Sequence, residues 1–433
     1  MAFGPAGPLR GTPLLPGDKS ISHRALMIAA MARERSRIHG LCEGSDVHST
    51  ASALRAMGVR VERAGNAWEV DGVGSGCLLQ PNRALDMGNS GTSTRLLMGL
   101  VASHPITAMF TGDESLCRRP MGRVTGPLSQ IGADFAAAPG GRLPLTVRGL
   151  CPAVPAVHRL TIASAQVKSA LLLAALNIPG VTRVIEPVPT RDHSERLLAR
   201  FGAEIEVRPA EEGGREIKLA GEAELRPQQI KIPGDMSAAA FLIVAALIVP
   251  GSEIAIEGVG VNPMRYEVVN LISDMGGQIG LHNVREQDGE PVADLIVRHS
   301  SLRGIDVSPA LIPAMIDEFP IFFIAAAFAE GVSRTSGLGE LRVKESDRIA
   351  AMAEGLRAIG AKVEESEDGL EIEGSGGAPL AGGARIESRL DHRIAMSFAV
   401  AGLHCRAPVE IDDMRPVATS FPDFAETLKG LAE

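Results

Sequence analysis

A six-residue phrase occurs twice in this chain. LPGDKS, Leu15 to Ser20, returns as IPGDMS, Ile232 to Ser237, after an offset of 217 in a sequence of 433 residues, and each copy opens an apolar, alanine-rich stretch. Self-similarity at half the length points to two related domains. A finer period lies beneath it. Stretches with apolar residues at helical spacing stop on a glycine at Gly58, Gly132, Gly202, Gly276 and Gly360, with a weaker sixth stop at Gly430; successive glycines are 74, 70, 74, 84 and 70 residues apart. Glycine there suits a left-handed helix stop, and the residues that follow alternate as a strand does.

Between these endings stand six openings of a second kind, in which a polar or glycine turn leads into an apolar helix: GDKSISHRALMIAAM, GNSGTSTRLLMGLVA, ASAQVKSALLLAALN, GDMSAAAFLIVAALI, IDEFPIFFIAAAFAE and LDHRIAMSFAVAGLH. Six units of about 70 residues follow, three to a domain, each with two helices and several strands. The opening helices are apolar nearly all round, so they belong in domain interiors with strands outside, an inversion of the usual α/β layering. Pro and Gly fix turns in the echoed phrases. These read as adjacent hinge crossings near residues 15–20 and 232–237, giving one domain of residues 19–232 and another of 1–18 plus 233–433.

Composition narrows the function. Fifty-two acidic against 43 basic residues leave a formal charge of -9, so neither nucleic acid nor membrane is an expected partner, and any anionic ligand must meet a local cluster of cations. One Trp, one Tyr and 12 Phe make stacking platforms for bases improbable. Five cysteines without a CxxC pair argue for a reducing, cytoplasmic setting and against structural zinc. The start, MAFGPAGPLRGTP, has no apolar signal core, and the longest apolar run, Ala238 to Val249, is too short for a bilayer.

Cations recur at the helix openings, at Lys19, Arg24, Arg95, Lys168 and Arg393, and in loops at Arg119, Arg191, Lys344 and Arg348. Helix N-termini present unpaired N–H groups and partial positive charge, so the pattern points to small, multiply charged anions. Asp317, Glu318, Glu345 and Asp391 stand in the same company. A carboxylate there serves as base or proton relay only if the surrounding field is balanced, and Asp391 reads as a helix cap or arginine orienter. Other phosphate motifs fail. Asp18 interrupts the Gly-Lys pair of a Walker loop, Gly72 to Gly76 lacks the last spacing of a dinucleotide fingerprint, and the ten histidines form no HExxH pair. No metal and no cofactor are expected.

Taken in order, LPGDKSISHRA, GNSGTSTR, RRPMGR, SAQVKSALLLAAL, IDEFP, LRVKESDR, DHRIAM and TSFPDF resemble the 5-enolpyruvylshikimate-3-phosphate synthases over nearly the whole chain; SAQVKS, TRDH and DEFP resemble the subgroup called class II. The resemblance implies a two-domain inside-out α/β barrel and transfer of the enolpyruvyl group of phosphoenolpyruvate to the 5-hydroxyl of shikimate 3-phosphate. It further implies that Lys19, Ser20, Arg24, Ser164, Ala165, Gln166, Arg191, Asp317 and Lys344 hold shikimate 3-phosphate. Gly91, Arg119, Arg348 and Arg393 would surround phosphoenolpyruvate, with Lys19 and Gln166 touching both substrates. Asp317 would take the hydroxyl proton, and Glu345 with Lys19 would manage the proton at the methylene carbon. Cations from both halves would draw the domains together around the anions. A monomer is expected.

Three positions depart from the commonest family pattern. Ala165 stands for a second Ser, Thr190 to His193 for a Tyr-containing motif, and Thr419 for a Lys; Arg191 would substitute for one of these phosphate contacts. Gly91 leaves a roomy phosphoenolpyruvate pocket, so glyphosate is expected to compete there. Two rival readings remain at this point. One is the sister enzyme acting on UDP-N-acetylglucosamine, whose loop cysteine lies several residues before an Arg-Pro, whereas Cys117 lies two before Arg119. The other is a non-catalytic anion-binding scaffold.

Overall fold

A computed structural model describes all 433 residues. The chain forms two compact units: an inserted unit, Lys19–Ile232 with the turn Asp288–Glu290, and a flanking unit, Met1–Asp18, Pro233–Gln287 and Pro291–Glu433.

Each unit is organised around three core helices. The inserted unit holds α1 (Lys19–Met31), α2 (Gly91–Ala102) and α3 (Ala165–Ala175); the flanking unit holds α4 (Met236–Ile248), α5 (Phe319–Phe328) and α6 (His392–Gly402). Every residue of α4, α5 and α6 is buried, as a helix without a polar stripe requires. Each large aliphatic or aromatic side chain so buried contributes about 1.5–3 kcal/mol.

Around α1 to α3 lie three four-stranded sheets of one topology. In the second, Leu85–Asp86 precedes α2 and pairs in parallel with Thr107–Thr111, which follows it; the hairpin of Asp134–Ala138 and Arg142–Arg148 completes the sheet antiparallel. The third sheet, Val157–Arg159, Val181–Glu186, Arg215–Ala220 and Ile205–Pro209, repeats this. In the first, the parallel edge strand is Gln229–Lys231, from the end of the unit, laid beside Arg33–His39. The flanking unit fills the matching place with Arg10–Gly11, parallel to Glu253–Gly260. Its second sheet has only bridges there, Arg303 with Glu330 and Asp306 with Arg334, and its third is split in two. The two echoed phrases lie side by side: the Asp18 amide donates to the Pro233 carbonyl at 2.8 Å, and that of Asp235 to Pro16 at 3.0 Å.

The glycine stops are Schellman closures at most of their positions. Gly58, Gly202, Gly276 and Gly360 have φ of +89°, +90°, +100° and +94°. The amide of each following residue reaches back to the last helical turn, as in Val59 to the Leu54 carbonyl at 3.1 Å and Ala203 to Leu198 at 2.9 Å. Gly132 is likewise left-handed, at +101°. The sixth stop is corrected: Gly430 lies inside the helix Phe424–Ala432 and is not among the left-handed glycines, so it ends no helix. A second glycine set carries no local sequence signal. Gly72, Gly149, Gly221 and Gly374 lie against the C-terminal carbonyls of α1, α2, α3 and α5, so close that a Cβ would stand 1.8 to 2.2 Å from a backbone oxygen.

Of the four histidines buried in the inserted unit, burial lowers the pKa of three, His23, His104 and His158. Lys19 and Arg24 add to the lowering at His23, and the Leu100 carbonyl, accepting from His104 Nδ1 at 2.7 Å, partly opposes it at His104. A lowered folded pKa means that the unfolded chain binds the extra proton. Stability should therefore fall as pH drops below about 6.5, by up to about 1.4 kcal/mol per pH unit for each histidine. Urea unfolding at pH 7.5 and 5.5 checks this, and His158→Gln should flatten the dependence. No helix is long and apolar enough to cross a membrane.

Candidate active site

The polar residues of the inserted unit gather where its three core helices begin. Lys19 is the first residue of α1, and its Nζ lies 3.0 Å from Asp46 Oδ2. One turn on, Arg24 is buried and donates from Nε to Ser194 Oγ at 2.8 Å, from Nη2 to Ser169 Oγ at 2.7 Å and from Nη1 to the Ser20 carbonyl at 2.8 Å. Ser90 caps α2 and Ser164 caps α3, each accepting from the amide three residues on. Arg95 Nη1 donates to Gln166 Oε1 at 3.1 Å, and Gln166 Nε2 to Thr92 Oγ1 at 3.0 Å, joining α2 to α3. His23 of α1, Thr50 and Ser93 of α2 continue the network at 2.8 and 2.7 Å. Three positive helix ends thus stand together with buried guanidinium groups, which is an anion site in physical terms.

Arg119 is held at the same place. Its Nη2 donates to Asn89 Oδ1 at 2.5 Å and to Ser115 Oγ at 3.1 Å, while Asn89 Nδ2 donates to Asp113 Oδ2 at 2.6 Å. Gly91 lies beneath, where a Cβ would stand 2.7 Å from Arg95 Nη1 and 3.2 Å from Arg119 Nη1. Ala165 opens α3, and Arg191 is half-buried in the segment before the helix His193–Arg200.

Lys168 requires a correction. Counted by sequence among cations awaiting an anion, it is instead wholly buried against Glu186 Oε2 at 3.0 Å and Glu195 Oε1 at 2.7 Å. Burial raises the Glu195 pKa, and Lys168 partly restores the charged form.

In the flanking unit the N-termini of α4, α5 and α6 also meet, but around carboxylates. Asp317 Oδ1 lies 3.6 Å from both Lys344 Nζ and Arg348 Nη1. The Arg348 side chain, 1 % exposed, donates from Nε to Asp391 Oδ2 at 2.8 Å and from Nη2 to Glu345 Oε2 at 2.5 Å. Burial pulls its pKa down, but Asp391, Glu345 and Asp317 outweigh that and hold it well above the usual arginine value. Asp391 does both things its sequence offered: it caps α6, accepting from the Arg393 amide at 2.9 Å, and orients Arg348. Arg393 Nη1 donates to the Asp317 carbonyl at 2.7 Å and stands 3.7 Å from Glu318 Oε1. Ser237 of α4 donates to that Glu318 oxygen and accepts from Arg265 Nη2 at 2.8 Å; Arg265 also lies 3.1 Å from Asp235 and 3.6 Å from Asp18.

The sequence reading missed Asp46, Asn89, Ser194 and Arg265. Asn89 sits in a motif already quoted, and Asp46 is an acid in the first turn of the helix Ser45–Ala56, a local signal of position but not of partner. Nothing local marks Ser194 or Arg265. Thr419, standing for the family lysine, turns its hydroxyl to the Pro416 carbonyl at 2.7 Å.

Helices inside, sheets outside and clustered helix N-termini define the class. The enolpyruvyl transferase NikO from Streptomyces tendae shares the fold at a TM-score of 0.77 and 17 % identity, over 99 % of this chain and 96 % of its own. The fold is thus the two-domain inside-out α/β barrel of enolpyruvyl transferases. The EPSP synthase of Acinetobacter baumannii matches with a TM-score of 0.87 and 42 % identity over 99 % of this chain and 97 % of its own. The 3-phosphoshikimate 1-carboxyvinyltransferases of Sphingopyxis alaskensis and Novosphingobium aromaticivorans are each 62 % identical, over 100 % and 98 % of this chain and 98 % and 97 % of theirs. The model of the family EPSP synthase (3-phosphoshikimate 1-carboxyvinyltransferase) matches residues 4–428. The chain belongs to the EPSP synthase family.

Proposed function

We propose that this enzyme transfers the enolpyruvyl group of phosphoenolpyruvate to the 5-hydroxyl of shikimate 3-phosphate, releasing phosphate, in the route to aromatic amino acids. The observation that carries this is a carboxylate, Asp317, set between Lys344 and Arg348 with Glu345 on the same arginine. Two cations flank this carboxylate, which in this reading is the group that accepts a proton from a hydroxyl.

Lys19, Ser20, Arg24, Ser164, Ala165, Gln166, Arg191, Asp317 and Lys344 bind shikimate 3-phosphate in this reading. Gly91, Arg119, Arg348 and Arg393 bind phosphoenolpyruvate in the same reading, with Lys19 and Gln166 touching both substrates. Asp317 takes the proton of the attacking hydroxyl as the C–O bond forms at C2, and Glu345 with Lys19 delivers a proton to C3. The tetrahedral intermediate then expels phosphate as C3 gives a proton back. The chemistry asks for orientation, a donor and a base, which these residues supply.

Phosphate release from the two substrates tests the reading; release with UDP-N-acetylglucosamine in place of shikimate 3-phosphate would overturn it. The Cys117 thiol contacts the Gly112 carbonyl at 3.4 Å, and no observation favours it as a catalytic group. We further infer a cytoplasmic monomer, in keeping with five free cysteines. A sedimentation mass well above 45.4 kDa would refute the monomer.

Gly91→Ala gives a direct test of the phosphoenolpyruvate subsite. The added methyl must displace the Arg95 guanidinium from 2.7 Å, and Arg119 has little room to give at 3.2 Å. KM for phosphoenolpyruvate should rise about tenfold, and that for shikimate 3-phosphate by less than about threefold. Glyphosate, if it competes with phosphoenolpyruvate, should lose affinity in parallel.

A further inference from the structure

Three ionisable side chains are shut away beside the anion site of the inserted unit. Lys168 and Glu186 have 0 % side-chain exposure and Glu195 has 6 %. Removing three charges from water is costly, and an apolar trio of similar volume would serve packing at least as well. The arrangement therefore calls for a purpose besides stability.

The remaining bonds of the cluster run to one residue. Lys168 Nζ donates to the Thr190 carbonyl at 3.2 Å, while the Thr190 amide donates to Glu186 Oε1 at 2.9 Å and its hydroxyl to Glu186 Oε2 at 3.0 Å. Every polar atom of Thr190 is thereby fixed, and with its carbonyl the peptide plane that leads into Arg191. Beyond Arg191, Asp192 accepts from Arg196 Nε at 2.9 Å and His193 Nδ1 lies 2.7 Å from Glu290 Oε1. The residues next to the ion cluster in sequence hold a second cation. Ser169 follows Lys168 and Ser194 precedes Glu195, and these two hydroxyls accept from Arg24. One pair of elements thus grips Arg24 directly and the Arg191 backbone through Thr190.

We infer that Lys168 is a positioning residue for Arg191, setting how tightly the phosphate of shikimate 3-phosphate is held. This rests on the function proposed above. An apolar side chain could fill its space but could not hold the Thr190 carbonyl.

The test is steady-state kinetics of Lys168→Met with the two substrates varied separately. KM for shikimate 3-phosphate should rise about tenfold, with kcat and KM for phosphoenolpyruvate within about threefold of the unaltered enzyme. Should Lys168→Met fail to fold, Glu186→Gln is the second variant. It keeps the Lys168–Glu195 pair but takes from Thr190 one of its two carboxylate acceptors, and a rise of about fivefold in the same KM is expected. A lower melting temperature with that KM unchanged, in whichever variant folds, overturns the inference, as does an equal rise in both KM values. If the unaltered enzyme releases no phosphate from the two substrates, the functional reading itself has failed.

Discussion

Asp317→Asn should lower kcat about a thousandfold while leaving the affinity for shikimate 3-phosphate within about threefold, since a positioned general base contributes roughly 10²–10⁴ in rate. The substitution keeps the shape of the side chain and removes its charge. Lys344 and Arg348, each 3.6 Å from the carboxylate, then lose part of their neutralising partner, so the local field becomes more positive. An anionic substrate is not repelled by that change. Loss in kcat with binding retained is the signature of a group that acts in the transition state. Calorimetric titration with shikimate 3-phosphate beside turnover measurements separates the two quantities. A kcat within about fivefold of the unaltered enzyme would remove Asp317 from the mechanism and leave Glu345, bound to the same arginine, as the acid–base candidate.

Gly221→Ala should be among the most damaging single-methyl additions in the inserted unit. Gly221 follows the strand Arg215–Ala220, and its Cα rests on the end of α3, where a Cβ would stand 1.8 Å from the Ile178 oxygen and 2.7 Å from that of Ala175. Both are backbone atoms, and the chain on either side is tied: the Gly221 amide donates to Gly180 at 2.8 Å and that of Glu222 to Leu176 at 2.9 Å. Relief therefore requires the strand to lift off the core helix. A loss of about 3 kcal/mol or more is expected, a fall in melting temperature of roughly 6–12 °C for a unit of this size. Gly202→Ala is the control. It carries φ of +90° with nothing within 4 Å of the added methyl, so it should lose only the backbone strain, about 1 kcal/mol. Equal losses in the two variants would show that close approach is not what Gly221 provides.

The two glycine sets differ in how far sequence could reveal them. Gly58, Gly202, Gly276 and Gly360 end helices, and a helix end is announced by the apolar residues before it and the strand after it. Gly221 and its counterparts are glycine because another segment passes close by, and that segment is more than 40 residues away in the case of Gly221 and α3. The site divides in the same way. Cations at the helix openings were legible because N-terminal position is a local property. Asp46 as the partner of Lys19, Ser194 as a holder of Arg24 and Arg265 as the link between Asp18 and Ser237 were not, because each pairing is made by packing.

His23 and Lys168 show where the boundary falls. Both lie near the start of a core helix within a small, polar stretch, and each meets a residue 27 positions further on: Thr50 for His23, Glu195 for Lys168. The number, order and phase of the repeats were determined by sequence alone, since apolar periodicity, glycine stops and helix openings act over a few residues of chain. Whether a given lysine would face an incoming anion or be spent inside was decided by the tertiary structure. That outcome depends on desolvation and on distances across the fold, and the Coulomb and solvation energies that govern charge have no fixed spacing along a sequence.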